Sequence, residues 1–187
     1  QDRLEAIKYA ADFQGQDLSM SEFYLNGLTD KNDYIREWTN DHLKTRDSLM
    51  RTIAINGILD QIKEEQSCLV RSKMIDNLGE MKCFECQDIF VQCCKDSSYE
   101  VISSALLALM RVNVLASLRE AYPLEKENNK TVAAAVAYLY GQKGTPENYN
   151  YFDARLKNPV SKMNDNFIKS FSDYLFRMPE NLIEKGL

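Results

Sequence analysis

The sequence predicts an all-α protein of stacked helical hairpins, a HEAT- or armadillo-like α-α superhelix, on three observations. The first is a phrase that occurs three times. Phe23-Tyr24-Leu25, Leu28 and Asp30 are followed by Ile35-Arg36 and Leu43. Thirty residues on, Ile53-Ala54-Ile55, Ile58 and Asp60 repeat its first half. After a turn five residues longer, Val70-Arg71 and Leu78 repeat its second half. The phrase returns as Ile89-Phe90-Val91, Cys94, Asp96, Val101 and Leu109. A period of roughly 30–36 residues with two helical patterns per unit marks a helical-hairpin solenoid. The second observation is that apolar residues recur at steps of three and four, with almost no strand-like alternation. The third is that seven glycines and four prolines leave few helix breaks in 187 residues. One domain over residues 1–187 is expected, with repeat units near 20–45, 50–80, 83–112, 114–141 and 149–178.

Asp30, Asp60 and Asp96 are expected between the two helices of their units. A carboxylate there accepts hydrogen bonds from free backbone N–H groups and favours the next helix dipole. Arg36 and Arg71 fall in second helices, where an Asp of an adjacent unit can pair with them, as in the ladder of HEAT-type repeats. Ile102 stands in place of the arginine in the third unit and interrupts that pattern. Val101, Ala105 and Leu109 form one stripe, and Ile102, Leu106 and Met110 the adjacent one, so this helix is expected at the centre of the core.

A helix from about Thr131 to Tyr140 carries Ala133, Ala134, Ala135 and Ala137, small enough for close approach of a neighbour. Asn128 or Asn129 can cap its start and Gly141 its end. Gly141 to Tyr151 reads as a loop between hairpins. Val160, Met163, Phe167, Phe171, Tyr174 and Met178 line one face of a last helix, with Pro159 before it and Pro179 ending it.

Composition narrows the function. A hydrophobic content of 44% with 27% charged residues suits a soluble globular domain. The net charge of -5 and the scattered basic residues argue against a non-specific nucleic-acid binder. No apolar run is long enough to span a bilayer. Gln1, the helix-like Asp2-Arg3-Leu4-Glu5 and the ending Glu184-Lys185-Gly186-Leu187 lead to the expectation of a segment from a longer protein, with targeting information outside it.

Few residues invite chemistry. His42 is the single histidine and lies in a polar stretch beside Asp41 and near Glu37, where a solvated side chain is the simpler reading than a catalytic one. With one histidine, the two-histidine zinc motif is absent. Cys68, Cys83, Cys86, Cys93 and Cys94 make a poor disulfide framework, an odd count with four inside twelve residues. Free thiols are expected, with a weak lean toward a reducing, cytoplasmic compartment. Cys86, Ile89, Phe90 and Cys93 share a helix face, so core packing is the simpler reading for the cluster and a metal or redox module the sharper one. Glu64-Glu65, and Glu125 with Glu127, read as solvated faces. Asn129-Lys130-Thr131 fits a glycosylation sequon, which a helix cap explains more simply. Trp38 reads as packing between units before it reads as a partner anchor. No Gly-rich phosphate loop and no nucleophile elbow occurs.

The stretch from Ser104 to Phe152 carries a resemblance. An Ala-Leu-rich helix precedes Asn113. A helix then leads to Leu-Glu-Lys-Glu-Asn-Asn, a second helix ends in Tyr140-Gly141, and an aromatic cluster follows a short loop. This resembles the C-terminal helical domain of zinc aminopeptidases of the aminopeptidase N family, especially bacterial members. The helix ending in Tyr174-Leu175-Phe176 fits the same domain. In that family the chemistry lies in a separate, earlier domain, where a His-Glu-x-x-His helix and a downstream Glu bind zinc and a Gly-x-Met-Glu-Asn segment holds the substrate amine. None of these motifs occurs here, so no catalytic, cofactor-binding or metal-binding residue carries over. Nor does any Lys or Arg match the basic residue that some members place near the peptide carboxylate.

The resemblance implies a non-catalytic helical bowl over the active-site cavity of a metallopeptidase. Its partners would be the catalytic domain of the same parent chain and, indirectly, peptide substrates, with zinc held by the parent. The alternative is a stand-alone HEAT-like scaffold that binds a protein or peptide.

Overall fold

A computed structural model describes residues 2–43, 48–157 and 165–186. Among those residues there is no strand, and the protein is all-α. The helices are α1 (Asp2–Ala11), α2 (Leu18–Leu25), α3 (Asp33–Asp41), α4 (Ser48–Gln61), α5 (Cys68–Glu80), α6 (Gln87–Cys93), α7 (Tyr99–Val112), α8 (Val114–Leu124), α9 (Lys130–Lys143), α10 (Tyr149–Lys157), α11 (Asp165–Leu175) and α12 (Glu180–Gly186). Short 3-10 turns occupy Asn26–Thr29, Phe84–Cys86 and Pro146–Asn148.

The odd-numbered helices from α3 onward form one layer. α3 packs on α5, α5 on α7, α7 on α9, and α9 on α11. α6 packs on α7, and α8 on both α7 and α9. Two glycines set the closest approaches in this layer. A Cβ on Gly79 would lie 2.7 Å from the Ala108 Cβ, and one on Gly141 would lie 2.7 Å from the Ser170 carbonyl oxygen. Gly141 therefore does not close α9, as the sequence suggests. It sits inside the helix so that α11 can come close, and Gly144 is the C-cap. For the same reason the expected loop from Gly141 to Tyr151 is shorter: α9 runs to Lys143, and a 3-10 turn leads directly into α10.

The main core runs from Leu28 to Met178. α7 is its centre, with Val101, Ile102, Ala105, Leu106 and Leu109 buried and Met110 half-buried, as its double stripe predicts. Burying each of these larger aliphatic side chains contributes about 1.5–3 kcal/mol. A smaller cluster of Ile7, Ala10, Tyr24, Ile35 and Met50 closes the N-terminal end. Phe171, Tyr174 and Met178 are buried at the other end. Pro159, Val160 and Met163, expected around the last helix, lie outside the described residues. Pro179 does not end that helix. α11 stops at Leu175, and the Pro179 carbonyl accepts from the Leu182 and Ile183 N–H groups at the start of α12.

The hairpin turns explain the repeated phrase. Asp30, Glu65 and Asp96 each accept the N–H of the residue two positions on, Asn32, Ser67 and Ser98, at 2.8 Å in all three cases. Those residues are the N-caps of α3, α5 and α7. Six residues beyond the carboxylate, Arg36 and Arg71 each donate Nη1 to the carbonyl of their own turn, Asp30 and Glu65, at 2.7 Å. Their remaining nitrogens reach the next turn. Arg36 grips Glu65 through two bonds of 2.6 and 2.8 Å, and Arg71 reaches Asp96 at 3.1 and 3.2 Å. Arg3 of α1 completes the series on Asp30 at 2.8 and 3.1 Å.

The ladder thus exists, with one substituted rung. Asp60 is not at the turn. It is exposed inside α4, and Glu65 takes its role because the five extra residues of that turn fall between them. Glu65 is therefore no solvated carboxylate. Its residue is 3% exposed. Burial alone would raise its pKa, but the Arg36 guanidinium and the Ser67 N–H outweigh that and hold it below the usual carboxylate range.

Candidate functional site

Each helix of the odd-numbered layer buries one stripe in the core and turns another to the outside. The outward stripes form two recesses. The first is a notch of about 220 Å³ lined by Asn40 and Asp41 of α3 and by Lys73, Asp76, Asn77 and Glu80 of α5. Steps of 3, 1 and 3 along α5 put its four residues on one helix face. Lys73 bridges the two helices, donating to Glu37 at 3.0 Å and Asp41 at 2.5 Å. Burial would lower its pKa, but these two carboxylates raise it. Asn77 Nδ2 donates to the Asn40 carbonyl at 2.9 Å and fixes the floor. Asp76 accepts the Ser104 hydroxyl at 3.0 Å. Burial raises the Asp76 carboxyl, opposed by that hydrogen bond and by the nearby Arg111 charge.

The second recess is a trough of about 540 Å³ across α7, α9 and α11. Ser103 and Leu107, Ala134 and Tyr138, and Lys169 and Asp173 are its main contributors from the three helices. Ala134 and Ala135 leave the space open, which gives the alanines of α9 a second role beside close packing. Tyr138 is 46% exposed. Gln142 Nε2 donates to Asp173 at 3.1 Å and ties α9 to α11 across one end. A volume of this size is in the range that holds a small ligand or a few peptide side chains.

The residues singled out from sequence fall elsewhere. His42 is the exposed C-cap of α3. Its ring stacks on Trp38 at 3.9 Å, and Nδ1 lies 2.8 Å from the Trp38 carbonyl oxygen. Trp38 packs edge-on to Tyr24 of its own unit at 6.5 Å and borders the N-terminal cluster, so the ring contacts it makes are within a unit and not between units. Asn129 caps α9, accepting the Thr131 and Val132 N–H groups. Glu125 is not simply solvated: it is half-buried and accepts the Tyr140 hydroxyl at 2.7 Å.

The cysteines depart from expectation. Cys83 and Cys86 form a disulfide that closes the turn between α5 and α6, and both are buried. Spacing alone gave no reason to pair them, since a C-x-x-C turn serves equally for free thiols. Cys68, Cys93 and Cys94 are free, and burial pushes the Cys94 thiol up to about 12, far from a reactive thiolate. The disulfide consumes two of the four sulfurs that a metal module would need. Among the described residues, no group of three or more His, Cys, Asp and Glu side chains could hold a metal ion.

No motif in the sequence marks the notch residues Lys73, Asp76, Asn77 and Glu80. Their signal was present as a polar stripe beside the one that buries Val70, Met74 and Leu78. It went unread because a polar helix face is the ordinary condition of a surface helix. The partners from α3 could not be read at all without the packing. Chemically, the outward face offers carboxylates, amides, hydroxyls, the Lys73 and Lys169 amines and the Tyr138 ring, a set suited to binding. No family model matches the chain, and no curated protein matches it.

Proposed function

We propose that this chain is a non-catalytic, HEAT-like helical-repeat module that forms the C-terminal wall of a zinc aminopeptidase of the aminopeptidase N family. The outward face of its odd-numbered helices is turned to peptides. The observation that carries the reading is the trough. Of its three walls, α9 and the larger part of α7 lie within residues 104–152, the stretch that resembles such a domain. A wall of this kind limits access of peptides and water to a neighbouring catalytic cavity. The zinc and the residues that activate water belong to the catalytic domain of the parent.

The test is the reading frame that contains this chain, together with its product. A His-Glu-x-x-His helix with a downstream Glu is expected ahead of these residues. The full product should hydrolyse an aminoacyl 4-nitroanilide in a chelator-sensitive manner, and the 187-residue chain alone, with zinc added, should not. A frame lacking that helix, or turnover by the chain alone, overturns the reading. The notch on α3 and α5, which lies outside the resembling stretch, favours a second reading as a peptide-binding scaffold that acts without a catalytic domain.

A further inference from the structure

The two recesses are linked through α7. Ser103 lines the trough, and its neighbour Ser104 holds Asp76 of the notch. Both lie on the odd-numbered helices, and they differ in chemistry.

The notch end is acidic. Among the described residues, Glu37, Asp41, Asp76 and Glu80 face two cations, Lys73 and Arg111. Lys73 is engaged by Glu37 and Asp41. Arg111 lies over Gly79, near enough to act on Asp76. Glu80 is exposed and makes no ion pair among the described residues. A recess with such an excess of carboxylate repels nucleic acid and anionic lipid and accepts a guanidinium or ammonium group. The trough end exposes Leu107, Ala134 and Tyr138, which suit an apolar side chain.

We propose that the outward face from α3 to α11 is a single track for an extended polypeptide segment, which places an Arg or Lys side chain in the notch and an apolar side chain in the trough. The proposal rests on the reading of this face as peptide-facing and adds the chemistry of the peptide. Five helices spaced about 8–10 Å apart span about 40 Å. An extended segment of about 12 residues covers that length.

The experiment uses the 187-residue chain and fluorescein-labelled Gly/Ser peptides of about 12 residues, each with one Arg and one Leu at varied separation. Binding is read by fluorescence anisotropy. At the best separation, binding saturates, and replacing the peptide Arg by Glu weakens it about tenfold or more. Glu80→Lys in the notch produces a similar loss. Asp88→Lys, the same charge change on exposed α6, leaves affinity unchanged. Tyr138→Ser removes the advantage of Leu over Ser in the peptide. Both target positions are exposed, and circular dichroism confirms that the variants fold.

Equal affinity for Arg and Glu peptides overturns the proposal, as does equal loss in Glu80→Lys and Asp88→Lys, or no saturable binding. A Leu preference that survives Tyr138→Ser overturns the trough assignment. The aminopeptidase reading fails on different grounds, a frame without the zinc helix, which leaves this binding result standing.

Discussion

From α1 to α7, each junction between hairpins is tied by an arginine reaching a carboxylate, whereas from α8 to α12 arginines reach bare backbone carbonyls. Arg155 donates to the Glu125 and Glu127 carbonyls, and Arg177 to those of Tyr140 and Gly141. Both solutions satisfy the unpaired carbonyls near a helix end and bring a cation to it. They differ in what else they need. A carboxylate joint titrates and fails if either charge is lost, especially where it is buried. A carbonyl joint does not titrate, and the C-terminal half adds aromatic packing to it. Phe152 lies 5.0–5.5 Å from Tyr151, Phe167, Phe171 and Tyr174 by ring centroid. The Tyr151 hydroxyl donates to the Ala133 carbonyl and that of Tyr174 to the Thr145 carbonyl, so the aromatic cluster also ties backbone between hairpins.

The largest expected effect tests the aromatic half. Phe152→Ala should cost about 4 kcal/mol in urea unfolding, because a fully buried ring leaves a cavity among four others. A loss below about 1 kcal/mol would mean that this half does not depend on its rings. Glu65→Ala comes next, at about 3 kcal/mol, since it leaves the largely buried Arg36 without its partner. The double variant Arg36→Met with Glu65→Ala should recover part of that loss. The other rungs should cost less with exposure: Arg71→Met about 1 kcal/mol and Arg3→Ala under about 0.5 kcal/mol, because Arg3 is half-exposed. Equal losses at all three would break the account of the ladder. Gly141→Ala should cost about 2 kcal/mol by pushing α11 from α9.

A smaller effect separates the halves by pH. Asp30 and Glu65 are held below their ordinary values of 3.8 and 4.5 in the fold. The unfolded chain therefore binds more protons in that range. Their contribution is complete above about pH 5 and is lost as the pH falls through the lower folded values. Asp76 has the opposite sign, because burial raises it and its ionisation costs the fold. Amide hydrogen exchange should show protection in α3 and α5 weakening under acid before that in α9 and α11. Parallel loss in both halves, or an unchanged order in Glu65→Gln, would remove the distinction.

How much of this was legible varies by feature. The helical class and the central place of α7 followed from periodicity, because burial imposes its spacing directly on the sequence. The ladder was half legible. Its arginines stood out by repetition, but Asp60 was a decoy of spacing. The sharper rule, a carboxylate six residues before the arginine, picks out Asp30 and Glu65 and was available in the sequence. The disulfide and the buried state of Glu65 were not legible, since each depends on what the fold places around the residue. Of the outward face, only the stripe on α5 could have been found.

The sequence by itself determined the helical class and the buried stripes of α7 and α11, since these follow from local spacing. Tertiary structure decided which carboxylate meets which arginine, that Gly141 is a contact and not a stop, and that Ser104 of α7 reaches Asp76 of the notch. Those outcomes depend on distances between segments some 30 residues apart. Such distances are set by how closely helices pack, and no local pattern records them.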